Sequence, residues 1–161
     1  MSAETPHELP AEWQPALTHS HFLRQLLGSR PAITEWLTGN AVAPISVATM
    51  QAFIDNARPA DDTELKAALR NLRQRVMAAL IVRDLSDQAP LPEVVETMTA
   101  LADVTTNYAL DFIHRQLAAQ YGEPLDANGQ PQRLMIVGMG KLGGRELNVS
   151  SDVDYIFIYP E

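Results

Sequence analysis

Residues 138–161 read GMGKLGGRELNVSSDVDYIFIYPE, and this stretch decides the fold of the C-terminal part of the chain. The apolar run of residues 134–137 comes directly before it, and residues 155–159 form a second apolar run within it. Short apolar runs bounded by glycine and polar residues are typical of β-strands. The pattern therefore predicts two strands that flank a glycine-rich loop.

Two carboxylates, Asp152 and Asp154, stand at the predicted start of the second strand. In an extended strand, residues i and i+2 point to the same face, so both carboxylates would lie on one side and Val153 would enter the core. Neighbouring carboxylates repel each other unless a cation lies between them, and Mg²⁺ prefers a few carboxylates together with waters and substrate phosphates. The spacing predicts a magnesium site that takes a nucleotide.

The loop before the carboxylates has the residue types of a phosphate site. Glycine has no Cβ, so the backbone of such a loop can approach phosphate oxygens closely, and serine hydroxyls add donors. Lys141 and Arg145 lie near enough in sequence to offset phosphate charge. The residues that we assign to the nucleotide phosphates are Gly140, Lys141, Gly143, Gly144, Ser150 and Ser151.

Residues 138–143 also match the glycine pattern of a Rossmann dinucleotide-binding turn. That fold needs a full amphipathic helix before the next strand, whereas residues 145–151 allow barely two turns and end in polar residues. The P-loop pattern fails because Lys141 is followed by Leu142 instead of serine or threonine. A Rossmann domain therefore remains only as an alternative.

Composition limits the classes of partner. The chain has 161 residues, is 46% hydrophobic, contains no cysteine and carries a formal net charge of -8. A nucleic-acid partner would require a basic face to displace counterions, so a protein target fits this charge better. The N-terminus lacks the pattern of a signal peptide, and no apolar run approaches transmembrane length, which together predict a cytoplasmic protein with no membrane partner.

The first three quarters of the chain are predicted to be helical. Prolines at positions 6, 10 and 15 predict an irregular arm over residues 1–20. Asp61 or Asp62 is expected to cap a long helix, with Glu64 completing a capping box, and the flanking arginines are expected to face solvent (Arg70, Arg73, Arg75). Apolar spacing of three and four residues predicts helices over residues 22–27, 32–37, 46–57, about 61–80 and about 92–120.

A change in composition marks a domain boundary. Residues 126–130 read DANGQ, in which Asn-Gly is a strong signal for a chain reversal, and strand-like apolar content begins after Pro131. We therefore predict a helical region over residues 1–125 and the beginning of a second, incomplete domain over residues 126–161.

The glycine-rich loop followed by Asp-x-Asp resembles the nucleotidyltransferase fold of the DNA polymerase beta superfamily. The longer string of residues 138–157 is similar to the signature of the bifunctional glutamine synthetase adenylyltransferase and adenylyl-removing enzymes, in the version of their N-terminal half. The resemblance implies an α+β fold, in which a mainly helical N-terminal region is followed by the start of a DNA polymerase beta-like sheet.

The resemblance also implies a reaction. The family regulates glutamine synthetase by attaching AMP to a tyrosine and removing it, and the N-terminal version implies removal, in which phosphate attacks the AMP phosphorus and releases ADP. Asp152 and Asp154 match the metal-binding acids, while Gly143, Gly144 and Ser151 match the phosphate-side positions. The implied cofactor is Mg²⁺, and the implied partners are glutamine synthetase, the PII nitrogen-signalling protein, ATP or ADP, and phosphate.

The sequence departs from the family pattern mildly and ends early. Tyr155 stands where an aliphatic residue is commoner, which should be harmless in a strand. The third metal-binding carboxylate of the nucleotidyltransferase fold normally comes from a later strand, so we expect an N-terminal fragment of a longer enzyme that is inactive alone. The alternative class is a catalytically inactive module for nucleotide sensing or docking.

Overall fold

The structure is a computed structural model, and it describes residues 9–41 and 43–159. The mainly helical α+β class is confirmed, whereas the larger nucleotidyltransferase sheet stays a prediction. In the described residues, no helix is both long and apolar enough to cross a membrane. In chain order the elements are α1 (Gln14–His19), α2 (His21–Ser29), α3 (Pro31–Asn40), α4 (Val47–Ala57), α5 (Asp62–Leu85), α6 (Leu91–Tyr121), β1 (Met135–Gly138), α7 (Gly140–Gly143) and β2 (Tyr155–Ile158).

The irregular arm predicted for residues 1–20 was wrong over most of its described part. Residues 1–8 lie outside the described residues, but Ala11–Trp13 forms a 3-10 turn that leads directly into α1. Pro15 lies in the first turn of α1, where a missing N–H costs no helical hydrogen bond. Trp13 and Ala16 are buried, so packing against the other helices orders this segment despite its prolines.

Side-chain caps begin helices α4 and α5, and the sequence predicted the cap of α5. The Ser46 hydroxyl accepts a hydrogen bond from the backbone N–H of Thr49 at the start of α4. At the start of α5, the Asp61 carboxylate accepts from the N–H of Glu64 at 2.8 Å, and the Glu64 carboxylate accepts from the N–H of Ala60 at 2.8 Å. The predicted capping box is confirmed.

Helix α5 is the centre of the helical core. Helices α1, α3, α4 and α6 all pack against it, and its residues Leu72, Val76 and Leu80 are almost completely buried. Their spacing of four residues places the three side chains on one stripe of the helix. The long apolar period of the sequence therefore corresponds to a helix surrounded by its neighbours.

Arg75 of α5 corrects the prediction that the arginines of this helix face solvent. Its guanidinium carbon lies 4.9 Å from the ring centroid of Phe53 and 6.0 Å from that of Trp36. Burial lowers the pKa of Arg75 below its usual value. The sequence signal was weak because both aromatic partners lie on other helices, α3 and α4.

The segment after α6 reverses direction and forms a hairpin. The Asp126 carboxylate accepts hydrogen bonds from the N–H groups of Asn128 and Gln130, both at 2.8 Å, and Gly129 adopts a φ of 77°. The predicted turn is confirmed, and the backbone hydrogen bond from Gln130 is the main reason why the pKa of Asp126 is lowered. Strands β1 and β2 then pair antiparallel, in a register that begins with Gly138 opposite Tyr155.

Candidate functional site

The candidate site is built on a tight glycine turn between β1 and α7. Gly140 adopts a φ of 53°, a left-handed conformation that glycine enters without steric cost. The turn then closes through two hydrogen bonds, from Gly143 N–H to the carbonyl of Met139 at 3.2 Å and from Gly144 N–H to that of Gly140 at 2.9 Å. After β1, the chain therefore turns back over the C-terminal end of this strand.

The glycines of this turn have different physical roles. A Cβ on Gly143 would lie 2.7 Å from the carbonyl oxygen of Gly138, and a Cβ on Gly138 would lie 2.7 Å from the side chain of Leu142. Gly143 is therefore required where the chain approaches its own backbone, whereas a Cβ at Gly138 would be accommodated only by movement of the Leu142 side chain. Gly144 has an ordinary φ of −80° and only a van der Waals contact at 3.5 Å, so its backbone geometry does not require glycine.

The segment that carries the two carboxylates is hydrogen-bonded to this turn through its backbone. The carbonyl oxygen of Asp154 accepts a hydrogen bond from the N–H of Met139 at 2.9 Å, which fixes the backbone of the acidic pair to the start of the glycine turn. Both Asp152 and Asp154 are exposed. The backbone of the glycine turn and that of Asp154, which lie about a dozen residues apart in the sequence, are therefore in direct contact.

Two details of the predicted acidic pair were wrong. The strand β2 begins at Tyr155, so Asp152 and Asp154 precede the strand instead of lying within it. Val153 is 40% exposed and does not enter the core of this chain. The physical reason is the register, since Gly138 is the last residue of β1 and pairs with Tyr155, which leaves the preceding residues no strand partner.

The serine pair is held by Asn148, a residue that the sequence prediction missed. The Asn148 side-chain oxygen accepts hydrogen bonds from the Ser150 hydroxyl, the Ser151 hydroxyl and the Ser150 N–H, each at 3.0 Å. Each hydroxyl has a single hydrogen, so both are already used as donors within the loop. An asparagine two residues before a serine is a recognisable signal for this type of turn.

The two basic residues of the loop differ in their surroundings. Lys141 is exposed on α7, and within the part of the chain that the structure describes it forms no ion pair. The Arg145 guanidinium instead contacts the carboxylates of Glu96 and Asp103, both on α6. The hydrogen bond between Arg145 and Glu96 raises the pKa of Arg145 and lowers that of Glu96. Of these two side chains, Lys141 is the one whose positive charge is uncommitted among the described residues.

A broad cleft of about 850 Å³ lies between the hairpin and helices α5 and α6. Its walls are mainly apolar, and Leu101 and Ile136 are examples from the two sides. Ser151 and Asp152 line it, so at least one of the two candidate metal ligands borders this cleft.

The alternative of a Rossmann domain is excluded by the strand pairing. A Rossmann unit places a crossover helix between two parallel strands. Here β1 and β2 are antiparallel, and α7, the element between them, covers only Gly140–Gly143. The glycine pattern of residues 138–143 is therefore not a dinucleotide-binding turn.

Comparison with protein families identifies the chain. The family model described as glutamate-ammonia ligase adenylyltransferase matches residues 11–161, which is nearly the whole chain. The chain belongs to this family. The family-level resemblance predicted from residues 138–157 is thereby confirmed.

Three relatives of the chain are each named bifunctional glutamine synthetase adenylyltransferase/adenylyl-removing enzyme. The protein of Aromatoleum aromaticum is 46% identical over 95% of this chain, that of Chromobacterium violaceum 45% over 95%, and that of Nitrosomonas europaea 44% over 90%. The matched part is 16%, 18% and 16% of the respective relative. The chain therefore spans less than a fifth of the length of these relatives.

The donor chemistry of the site fits the magnesium that the resemblance to adenylyltransferases implies. Mg²⁺ takes one or two protein carboxylates and completes its shell with waters and substrate phosphates. Asp152 and Asp154 supply two such carboxylates at an exposed position. Within residues 9–41 and 43–159, no group of three or more His, Cys, Asp and Glu side chains has a metal-binding arrangement.

Proposed function

We propose that this chain carries part of the site that removes AMP from a tyrosine of glutamine synthetase. The supporting observation is the hydrogen bond from Met139 N–H to the carbonyl of Asp154, which joins the acidic pair to the glycine turn. Phosphoryl-type transfer depends mainly on positioning and on neutralising oxygen charge, and a turn joined to two carboxylates supplies both functions. The names of the relatives support the same chemistry.

The proposed reaction is a phosphorolysis. An oxygen of inorganic phosphate forms a bond to the phosphorus of AMP, and the bond from that phosphorus to the tyrosine oxygen breaks. The proton of the attacking phosphate passes to the tyrosine oxygen, so the products are ADP and free tyrosine. The phosphate and the AMP group both carry negative charge, and their approach requires cations at the site.

The residues of this chain have distinct proposed tasks. Asp152 and Asp154 would hold Mg²⁺, which when bound neutralises phosphate oxygens. Lys141 attracts the incoming phosphate, because its charge is not paired within the described residues. Gly140, Gly143, Gly144, Ser150 and Ser151 are proposed to form the phosphate side, where the N–H groups of Gly143 and Gly144 and both serine hydroxyls would exchange their present hydrogen bonds for phosphate oxygens.

The wider setting follows from the same proposal. The protein substrate is adenylylated glutamine synthetase, and the full-length enzyme acts in the cytoplasm with ATP or ADP and phosphate as small-molecule partners. The PII nitrogen-signalling protein is the proposed regulator. These assignments rest on the family resemblance and on the names of the relatives.

The test uses the full-length product of the gene with adenylylated glutamine synthetase, phosphate and Mg²⁺. Release of ADP is followed for the wild type, for Asp152→Asn and for Asp154→Asn. We expect both variants to lose activity by about 10³-fold or more, because the charge that binds the metal is removed. The matched control is Asp84→Asn, which neutralises an exposed aspartate at the end of α5, away from the turn.

Two results would contradict the proposal. Near-normal ADP release by either variant at the acidic pair would show that these carboxylates are not essential. No phosphate-dependent ADP release by the wild type, with nucleotide binding retained, would favour the alternative of an inactive sensing or docking module.

A further inference from the structure

Four polar contacts connect helix α6 to the segment that carries the glycine turn. Glu96 and Asp103 contact Arg145, Thr106 shares a hydrogen bond of 2.6 Å with the Tyr155 hydroxyl, and Asp111 pairs with Arg133. Spacings of seven and three residues place Glu96, Asp103 and Thr106 on one stripe of the helix. Helix α6 thus presents a polar stripe to the turn and the hairpin.

Arg145 holds this stripe from the middle of the loop. Its Nε donates to the Glu96 carboxylate at 3.2 Å, its Nη2 donates to the other oxygen of the same carboxylate, and its Nη1 lies 3.8 Å from Asp103. This two-point geometry fixes orientation as well as distance, since both the fork and the carboxylate are planar. The side chain of Arg145 is therefore anchored on α6.

The backbone of Arg145 is anchored on the glycine turn. Arg145 adopts a φ of 57°, a left-handed conformation that non-glycine residues enter only at a steric cost. Its N–H donates to the carbonyl oxygen of Leu142 at 3.1 Å. The N–H of the next residue, Glu146, donates to the carbonyl oxygen of Lys141 at 2.7 Å. Arg145, which follows α7 and closes the turn, is therefore also the residue whose side chain reaches α6.

We propose that Arg145 is a positioning residue, which acts through Glu96 to hold the glycine turn and the attached carboxylates in place. This inference rests on the proposed function, because it assigns Arg145 a task in the same site. The line of contacts runs from α6 to Arg145, through the turn to Met139, and across its hydrogen bond to Asp154. Arg145 thus acts by positioning the glycine turn and the acidic pair, and not by direct contact with the substrate.

The occupied guanidinium distinguishes this role from direct phosphate binding. Two of its nitrogens already donate to Glu96, and a second carboxylate, Asp103, faces the third nitrogen. A phosphate would have to displace the Glu96 carboxylate to obtain the same two-point contact. Loss of Glu96 should therefore harm a positioning arginine and leave a phosphate-binding arginine competent.

The test measures ADP release by the full-length protein with Arg145→Gln, Glu96→Gln and both changes together. Glutamine has the same backbone cost as arginine at this φ, so only the ion pair is altered. We expect kcat to fall about 10- to 100-fold in each single variant, with no further fall in the double variant, because misplacing reacting groups costs up to that much. The KM for phosphate should change less than about twofold, since binding groups are retained.

The matched control is Arg133→Gln. The Arg133 pair with Asp111 also joins α6 to the C-terminal segment, and its side chains are 57% and 52% exposed, compared with 53% and 60% for Arg145 and Glu96. Arg133 lies before β1 and outside the glycine turn. Its variant should keep kcat within about twofold, because this pair is not joined to the glycine turn.

Two kinetic outcomes would overturn the inference. A raised KM for phosphate in Arg145→Gln, with normal activity in Glu96→Gln, would make Arg145 a direct phosphate ligand. An unchanged kcat in both variants would show that the Arg145–Glu96 pair has no role in the reaction.

Hydrogen exchange separates this inference from the proposed function. The N–H groups of Gly144 and Glu146, which are hydrogen-bonded within the turn, should lose protection equally in Arg145→Gln and Glu96→Gln and keep it in Arg133→Gln. If the wild type releases no ADP, the proposed function fails, and the exchange result alone decides whether Arg145 holds the turn. Unchanged protection of these N–H groups in both Arg145→Gln and Glu96→Gln would refute the inference that Arg145 holds the turn.

Discussion

The helical region, which ends with α6 at Tyr121, and the motif segment of residues 133–159 are stabilised in different ways. The helices close an apolar core among themselves, and the motif segment of residues 133–159 adds two buried side chains to that core, Leu142 and Leu147. The motif segment also exposes apolar residues on its strands, such as Val137 and Ile156. A helix bundle is stable by burial, whereas the candidate site depends on a few specific contacts.

One arginine–glutamate pair in each region makes the difference concrete. Arg83 and Glu93 form a two-point ion pair whose side chains are only 7% and 13% exposed, and Arg83 also donates to the carbonyls of Ala41 and Gln88. Arg145 and Glu96 use the same geometry at a half-exposed position. The chemistry is the same, but the first pair is buried in the core and the second lies on the surface of the site.

The largest expected effect is on the buried pair. Changing Arg83 to methionine leaves the Glu93 carboxylate buried without a partner and removes the donors of two carbonyl groups. The free energy of unfolding should fall by roughly 3–5 kcal/mol, which is typical of a broken buried pair. Urea denaturation of the chain measures it.

A double variant tests the reason for that loss. Arg83→Met with Glu93→Leu replaces both charges by apolar side chains, which should restore most of the lost stability because no unpaired charge remains. A single variant that loses less than about 1 kcal/mol would show that water or another group compensates Glu93, in contradiction of the burial argument.

The second prediction compares apolar side chains of the two regions. Leu72 of α5 is 1% exposed and Ile156 of β2 is 47% exposed. Leu72→Ala should reduce the free energy of unfolding by about 2–5 kcal/mol, because it leaves a cavity in a closed core. Ile156→Ala should change it by less than about 0.5 kcal/mol. Equal effects in urea denaturation would mean that the motif segment shares the core of the helices.

The third prediction concerns the shape of the glycine turn. Gly143→Ala places a Cβ 2.7 Å from the Gly138 carbonyl oxygen, which is a backbone atom with little freedom to move. The free energy of local opening of the turn should fall by about 1–3 kcal/mol, as expected for an overpacked site. The free energy of opening of α5 should not change. Hydrogen exchange of the turn and of α5 measures both values in one experiment.

The neighbouring glycine is the control for this prediction. A Cβ on Gly144 would meet the nearest oxygen at 3.5 Å, and its φ of −80° suits any residue. Gly144→Ala should therefore leave the exchange rates of the turn within about twofold of the wild type. If both alanine variants open the turn equally, the close approach of Gly143 to Gly138 is not what requires glycine.

Local signals in the sequence were sufficient for much of this structure. The capping box of Asp61 and Glu64, the turn at Asp126 and the adjacency of the glycine turn to Asp154 all involve residues close in sequence or in neighbouring strands. Their geometry follows from backbone hydrogen bonding and short-range sterics. Such features can be predicted because few alternative partners exist at short separation.

The failures involve partners that are distant in the sequence. Trp13 is ordered by burial in the helical core, and Arg75 by aromatic rings of two other helices. The position of Arg145 in the loop predicted that it offsets phosphate charge. In the structure its guanidinium instead contacts Glu96, which is 49 residues away in the sequence. Charge and periodicity do not indicate which distant residue a side chain will meet. Asn148 is different, because its signal was local and was overlooked.

The smallest expected effect is the pH dependence of the exposed pair. The hydrogen bond from Arg145 lowers the pKa of Glu96 below its ordinary value of 4.5. A carboxyl group with a lowered pKa contributes stability that is present above its unfolded pKa and is lost as the pH falls through the lower, folded pKa. Contact between the turn and α6 should therefore weaken only below about pH 4.5 and stay constant at neutral pH.

Titration of the Glu96 carboxyl by NMR measures this coupling directly. In Arg145→Gln the pKa of Glu96 should rise towards 4.5, because the largest cause of the shift has been removed. In Arg133→Gln it should stay where it is in the wild type, since Arg133 pairs with Asp111 and not with Glu96. A Glu96 pKa that is the same in all three proteins would mean that the pair does not persist in solution, and the motif segment would then be held to α6 by its other contacts, which include those of Tyr155 with Thr106 and of Arg133 with Asp111.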